Sequence, residues 1–358
     1  MAVEKISIDD FLQMPGNYLL LDVRSPSEFA QAHISGAISL PLFTDEERKV
    51  VGTAYKQQSR EKAIKIGLTY FGPKMASIVA EVETIITSLK PATTTKNSTE
   101  SITAIAKKIV VHCWRGGMRS AAVAWLLDLY SFKVYTIAGG YKTYRKWVLA
   151  QFEKQYNFKV IGGYTGSGKT ELLAELQTAG ETIIDFEGLA HHKGSAFGSL
   201  GQPVQPSQEM FENLIAAALH VKSNTNIWIE DESQRIGHVN LPATLYRSKQ
   251  LAPIYFIEIP FNERLQYIIT SYGKFEKDQL VSAIMRIKKR LGGLETKIAI
   301  NFLIENNIKS CFEVLLRYYD KCYLKGLHQR ENLENQLNKI SCITVNNNVN
   351  AVALLAFK

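Results

Sequence analysis

His112-Cys113-Trp114-Arg115-Gly116-Gly117-Met118-Arg119-Ser120 is preceded by the β-branched run Ile109-Val110-Val111 and followed by a helical pattern to Leu129. The order is strand, tight loop, helix N-terminus, with a thiol at the base of the loop. Amides after Cys113 can turn inward as an anion-binding nest, and the helix dipole adds partial positive charge. That setting lowers a thiol's pKa and makes its thiolate a nucleophile. Packing alone gives no reason to flank a strand-end cysteine with two glycines and two arginines.

Working outward, Tyr18 to Arg24 reads as a short buried strand ending in charges. Ser25-Pro26-Ser27-Glu28-Phe29 reads as a turn into a helix, with Ser27 able to cap it. His33 to Pro41 reads as a turn and short strand, and Lys74 to Leu89 as a helix. Lys90 to Ser101 is polar and low in complexity, so a flexible loop is expected there. Lys133 to Ile137 is a further strand, and Ala138-Gly139-Gly140-Tyr141 turns into a helix running through Val148. Alternating strands and helices predict a parallel sheet with helices on its faces.

A second block begins near Asn157. The strand Phe158 to Gly162 leads into Gly163-Tyr164-Thr165-Gly166-Ser167-Gly168-Lys169-Thr170, and a helix follows to Thr178. This is G-x-x-x-x-G-K-[ST] between a strand and a helix, the context that a phosphate loop requires. Backbone amides of Gly163, Thr165, Gly166, Ser167 and Gly168 would wrap a phosphate chain. Lys169 would neutralise terminal charge, and the Thr170 hydroxyl can hold Mg²⁺. ATP or GTP is the default occupant, but the same amides hold any diphosphate. Thr182 to Asp185, Asn226 to Glu230 and Pro253 to Ile259 are further strand candidates. Glu230 and Asp231 are candidate Mg²⁺-associated acids, and Asp185 and Glu187 end the preceding strand. His191 and His192 read as solvated, and no metal site is assigned. From Asn262 onward the pattern is helical and basic. Arg286, Lys288, Lys289 and Arg290 are candidate phosphate contacts for RNA, and Tyr318, Tyr319 and Tyr323 are candidate stacking groups.

At 358 residues, two domains are expected, about 1–150 and 155–358. Both are α/β, an N-terminal parallel-sheet domain and a C-terminal P-loop NTPase-like domain with a helical, basic end. A composition of 46% hydrophobic and 21% charged residues supports ordinary globular cores. The net charge of +8 favours a polyanionic partner. No apolar run long enough for a bilayer and no secretory signal is evident, so no membrane partner is expected. The four cysteines show no metal-ligand spacing, and a reducing cytoplasm suits a working thiolate at Cys113.

By itself the Cys113 loop allows two chemistries. One is sulfur or selenium transfer through a persulfide or perselenide. The other is phosphatase chemistry, since His-Cys-x5-Arg-Ser is a cysteine-phosphatase pattern in which Arg119 clasps a phosphoryl group. A rhodanese-type sulfurtransferase fused to a nucleotide-dependent kinase, and a non-catalytic binding module, also stay open.

Leu21-Asp22-Val23-Arg24-Ser25-Pro26-Ser27-Glu28-Phe29, His33-Ile34-Ser35-Gly36-Ala37 and Ala138-Gly139-Gly140-Tyr141 resemble the rhodanese domain. Over nearly its full length the sequence resembles the tRNA 2-selenouridine synthase family, which joins a rhodanese domain to a phosphate-loop domain. That likeness rests on both loops, on Glu47 to Lys56, on Phe186 to Gly198, on Gln205 to Glu212, on Glu230 to Gly237 and on Lys289 to Gly293. Lys193 stands where arginine is expected, which weakens any bidentate contact there. The resemblance implies action on 2-thiouridine at the tRNA wobble position. The sulfur is geranylated from geranyl diphosphate, and selenium from selenophosphate then displaces the S-geranyl group. It implies that Cys113 carries selenium as S-selanylcysteine, with Arg115 and Arg119 near the selenophosphate oxyanion. It also implies tRNA as partner, with a selenophosphate-supplying enzyme upstream.

Overall fold

The structure is a computed structural model that describes residues 3–15, 17–89, 108–221 and 225–357. The loop expected at Lys90 to Ser101 lies outside the described residues. The chain divides into two compact units, Met1–Ala150 and Gln151–Lys358.

In the N-terminal unit five strands form one parallel sheet: β1 (Glu4–Ile6), β2 (Leu19–Asp22), β3 (Ile38–Ser39), β4 (Lys108–His112) and β5 (Lys133–Ile137), in the order β1-β5-β4-β2-β3. β4 is central, with Ile109, Val110 and Val111 fully buried. A strand covered on both faces reads as a continuous apolar run, which is how the segment before Cys113 reads. Leu19, Leu21, Val111, Val123 and Leu127 pack with Cys113 itself in the core. Parallel strands place the loops that follow them at one edge, so Cys113 emerges at the carboxyl end of the middle strand.

One local expectation is corrected. The helix Pro26–Gln31 starts two residues earlier than expected, with Ser25 at its N-cap and Pro26 in its first turn. Proline has the fixed φ and missing N–H that a first helical position tolerates. The Ser27 hydroxyl, expected to cap, instead donates to Asp45 Oδ1 at 2.5 Å.

In the C-terminal unit β6 (Asn157–Gly163), β7 (Ile183–Ile184), β8 (Asn226–Glu230), β11 (Ile254–Glu258) and β12 (Leu337–Ser341) form a parallel sheet, ordered β12-β11-β6-β8-β7. Two short strands, β9 (Arg235–Ile236) and β10 (Val239–Asn240), pair antiparallel beside it. The helices Phe261–Tyr272, Lys277–Leu291, Gly293–Ile304 and Ile308–Leu327 build a separate core around Leu265, Ile284, Leu303 and Phe312. The end of the chain is therefore helical, but it returns to the sheet through β12. Only Ile340 of that strand is buried. A lightly buried edge strand lacks the apolar alternation that would betray it.

Two candidate anion cradles

The loop after β4 is fastened by the turn after β5. The amides of Tyr141 and Lys142 donate to the carbonyls of Cys113 and Trp114, each at 2.9 Å. Gly140 makes this closeness possible. Its φ is +57°, and a Cβ there would strike the Cys113 carbonyl and the Gly116 amide. Only glycine meets both demands. Among the described residues, the amides of Trp114, Arg115 and Gly116 donate to no backbone carbonyl.

Beneath the loop lies a buried charge pair. Arg24 donates from Nε to Asp22 Oδ2 at 2.9 Å and from Nη2 to the Ala32 carbonyl at 2.7 Å. Its guanidinium lies 3.9 Å from the Tyr141 ring centroid. His112 has no exposed surface, and its Nε2 is 3.7 Å from Asp22 Oδ2. Burial lowers its pKa to about 4, so the ring is neutral at pH 7.

The Cys113 thiol is 3% exposed. Its Sγ lies 3.3 Å from the Ser120 hydroxyl, which also reaches the Gly117 carbonyl at 3.1 Å. Burial pushes the thiol pKa up. The Ser120 hydroxyl, the Arg119 charge and the amides of Ser120 and Gly117 outweigh it, and the thiol lies below its ordinary value. Arg119 does not stand free for an oxyanion: its Nη1 donates to Glu28 Oε2 at 2.5 Å, and Arg48 approaches the same carboxylate at 3.6 Å. Arg115 is exposed and makes no ion pair among the described residues. Glu28 and Ser120 were in view in the sequence, but no local signal paired them with Arg119 and Cys113.

In the second cradle, the loop Gly163–Thr170 leaves β6 and enters the helix Lys169–Thr178. Lys169 Nζ donates across the loop to the Gly163 carbonyl at 3.1 Å, a bond that a phosphate would replace. Ser167 folds back on the Tyr164 carbonyl at 2.7 Å. Side chains fasten this loop. The Tyr323 hydroxyl accepts from the Gly163 amide at 3.2 Å, and Arg264 Nη1 donates to the Thr165 carbonyl at 3.0 Å while held by Asp320 at 2.8 Å.

Carboxylates gather at the ends of β7 and β8. Thr170 donates to Glu187 Oε2 at 2.8 Å. Burial and the charges of Glu232 and Glu230 push Glu187 up to about 10. Glu230 is fully buried, and both its carboxyl oxygens lack a hydrogen-bond partner. Burial raises it well above the usual range, and raises Asp185 and Glu232 as well. Asp231 corrects the sequence expectation of a cation ligand. It is bonded to Arg330 at 2.6 Å, Lys249 at 2.8 Å and the Tyr323 hydroxyl at 2.8 Å, and these partners hold it well below the usual carboxylate range despite its burial. Its negative charge is already spent on two buried cations.

The loop opens into a cavity of about 390 Å³. Its lining includes the polar residues Thr165 to Thr170, Glu187 and Lys193 and the apolar side chains of Ile268, Ile287, Phe312, Leu315 and Leu316, with Ile268 directly beside Gly166 of the loop. Tyr318, Tyr319 and Tyr323, expected as exposed stacking groups, line this cavity instead. Of the four basic candidates, Arg286 is drawn to the Ala196 carbonyl at 3.1 Å and Ser199 Oγ at 3.3 Å, Arg290 borders the cavity, and Lys288 and Lys289 are exposed. His192, expected in solvent, is buried, and His191 Nδ1 contacts the Val204 carbonyl at 2.9 Å.

Comparison with known proteins follows the same division. Residues 7–146 match the family model of the rhodanese-like domain, and residues 156–341 match that of the tRNA 2-selenouridine synthase AAA domain. A tRNA 2-selenouridine synthase from Sulfurovum sp. is 34% identical, over 86% of this chain and 88% of that one. One from Hydrogenovibrio crunogenus is 34% identical over 80% and 79%, and one from Nitrosomonas eutropha is 31% identical over 87% and 89%.

Proposed function

The chain belongs to the tRNA 2-selenouridine synthase family, and we propose that it divides the reaction between its two cradles, alkylating sulfur at one and delivering selenium from the other. The substrate is the 2-thiouridine at the tRNA wobble position. At the Gly163–Thr170 loop, geranyl diphosphate places its diphosphate on the loop amides and Lys169. Its hydrocarbon chain lies toward Ile268, Phe312 and Leu315. The base sulfur forms a bond to the first carbon of the prenyl chain, that carbon's bond to the diphosphate breaks, and the N3 proton of the base is lost. S-alkylation converts a poor leaving group into a good one. At Cys113, the Se–P bond of selenophosphate is hydrolysed and phosphate leaves; the selenide joins the thiolate as a perselenide, with a small disulfide as the two-electron oxidant. That selenium bonds to carbon 2 of the base as the carbon–sulfur bond breaks and geranylthiol leaves, and a small thiol then cleaves the S–Se bond to free the 2-selenouridine.

The observation that carries this reading is the buried Cys113 thiol, lowered by Ser120, Arg119 and two amides, in one chain with a phosphate loop that opens into a cavity lined in part by apolar side chains. Mg²⁺ would be held beside the loop by Glu230, whose two buried oxygens have no partner, and by the Thr170 hydroxyl. When bound, it would neutralise the departing diphosphate. Lys288, Lys289 and Arg290 supply phosphate contacts for tRNA, and Arg286 is reassigned to holding the Ala196–Ser199 segment. No described helix is long and apolar enough to cross a membrane, and the working thiolate suits the cytoplasm, where an upstream enzyme would supply selenophosphate.

Nucleoside mass spectrometry of tRNA incubated with the protein, geranyl diphosphate and selenophosphate tests both halves. Cys113→Ala should stop at S-geranyl-2-thiouridine, and Lys169→Ala should leave 2-thiouridine unaltered. Selenouridine formed by the Cys113 variant, or normal geranylation by the Lys169 variant, overturns the corresponding half.

A further inference from the structure

Trp114 follows the thiol directly and is 38% exposed. A lone exposed aromatic needs no explanation by itself. This one is held at its backbone and by one ring contact. Its carbonyl accepts from the Lys142 amide at 2.9 Å, so the root of the side chain is fixed. Its ring centroid lies 5.7 Å from that of Tyr141, tilted 41°. Tyr141 is fully buried and lies under the Arg24 guanidinium, which is locked to Asp22. The indole thus rests on the core and still presents surface to solvent. Arg115, its neighbour in the loop, is an exposed guanidinium with no ion pair among the described residues.

The chemistry at Cys113 requires a planar, unpaired base. The thiol is 3% exposed and out of a nucleobase's direct reach. Trp114 is the residue next to it in the loop and is exposed. A rigid aromatic face beside a free cation is the arrangement by which proteins hold a single unstacked nucleotide, the base on the ring and the phosphate on the cation. We infer that the Trp114 indole is the platform on which the target uracil stacks to meet the selenium at Cys113, with Arg115 taking an adjacent tRNA phosphate. This rests on Cys113 as selenium carrier. Trp114 acts here as a specificity-determining residue, since stacking sets which atom of the base faces the thiol.

The test uses the full chain and tRNA already carrying S-geranyl-2-thiouridine, so that alkylation at the other cradle does not enter. Trp114→Ala should lower kcat/KM for selenation about tenfold or more, chiefly through KM. Trp114→Phe should recover most of the loss, because it restores a ring of smaller area. Two measurements without RNA should not move in either variant: alkylation of Cys113 by iodoacetamide, and selenium loading of Cys113 from selenophosphate with glutathione disulfide as oxidant, read by intact-protein mass spectrometry. Normal loading with unchanged kcat/KM in Trp114→Ala overturns the platform alone. A loss shared by alkylation and loading, not recovered by phenylalanine, assigns Trp114 to loop packing and also overturns it. A wild-type protein that takes no selenium onto Cys113 overturns the carrier reading, and the platform with it.

Discussion

At Cys113 the cradle is fastened backbone to backbone, through Tyr141 and Lys142 amides on two loop carbonyls and a glycine where no Cβ fits. At Gly163–Thr170 the fastening comes from side chains, the Tyr323 hydroxyl and the Arg264 guanidinium, each tethered by an acid. Charge differs in the same way. The thiol loop surrounds one anion with donors, whereas the phosphate loop adjoins a group of buried carboxyls with raised pKa. On the proposed division of labour, a carrier thiol is served by one fixed geometry. A phosphate loop that binds and releases a highly charged ligand at every turnover is served by a side-chain scaffold beside carboxyls, which tolerates both states.

The strongest way to break this contrast is to attack the side-chain scaffold. Asp231→Asn should destabilise the C-terminal unit by about 3–5 kcal/mol, because Lys249 and Arg330 would stay buried without their anion. Thermal unfolding and hydrogen exchange of the intact chain would show it. A change under about 1 kcal/mol would mean that the network is not the fastening.

Next come the glycines. Gly140→Ala should cost on the order of 3 kcal/mol and slow Cys113 alkylation, since the obstacles are backbone atoms. Gly168 has φ of +68°, but a Cβ there would meet the side chains of Asn347 and Val345, which can turn aside. Gly168→Ala should cost nearer 1 kcal/mol. Equal losses would erase the distinction.

The pH response sharpens it further. His112 titrates near 4 in the folded chain and near 6.5 when unfolded. The unfolded state therefore binds more protons between those values, and the N-terminal unit loses stability as pH falls through them. Glu187, Glu230, Glu232 and Asp185 are raised, so the folded C-terminal unit keeps protons that the unfolded chain gives up. Its stability falls as pH rises above the ordinary carboxylate range. Hydrogen exchange with a chelator present, corrected for intrinsic rates, should move the two units in opposite directions between about pH 5 and about pH 8. Movement in the same direction would refute the charge contrast.

The smallest expected effect is at Glu28. Glu28→Gln weakens its hold on Arg119 and should lower the inhibition constant of inorganic phosphate at Cys113 by about threefold, the scale of a part-exposed ion pair. Unchanged inhibition would show that Arg119 does not serve the oxyanion.

Much of both cradles was legible because each is local. A β-branched run, a glycine-bearing loop and a helix start are consecutive in the chain, and β5 (Lys133–Ile137) and β8 (Asn226–Glu230) fall where the strand patterns place them. Ser27 misled because serine caps by preference, while the adjacent proline sets the helix start by its fixed φ. Asp231 misled because it looks identical to Glu230 at a strand end.

The sequence by itself determined the two α/β sheets, the thiol at a strand end and the phosphate loop, since these follow from chain connectivity and backbone preference. Tertiary structure alone decided which acid is free and which is spent, that Glu28 meets Arg119 across 91 residues, and that Tyr323 meets Gly163 across 160. It also decided that Leu337–Ser341 completes a sheet. Such pairings depend on distant segments arriving at one place, and the charge a buried group carries depends on what it finds there. Neither is written in the local pattern of residues.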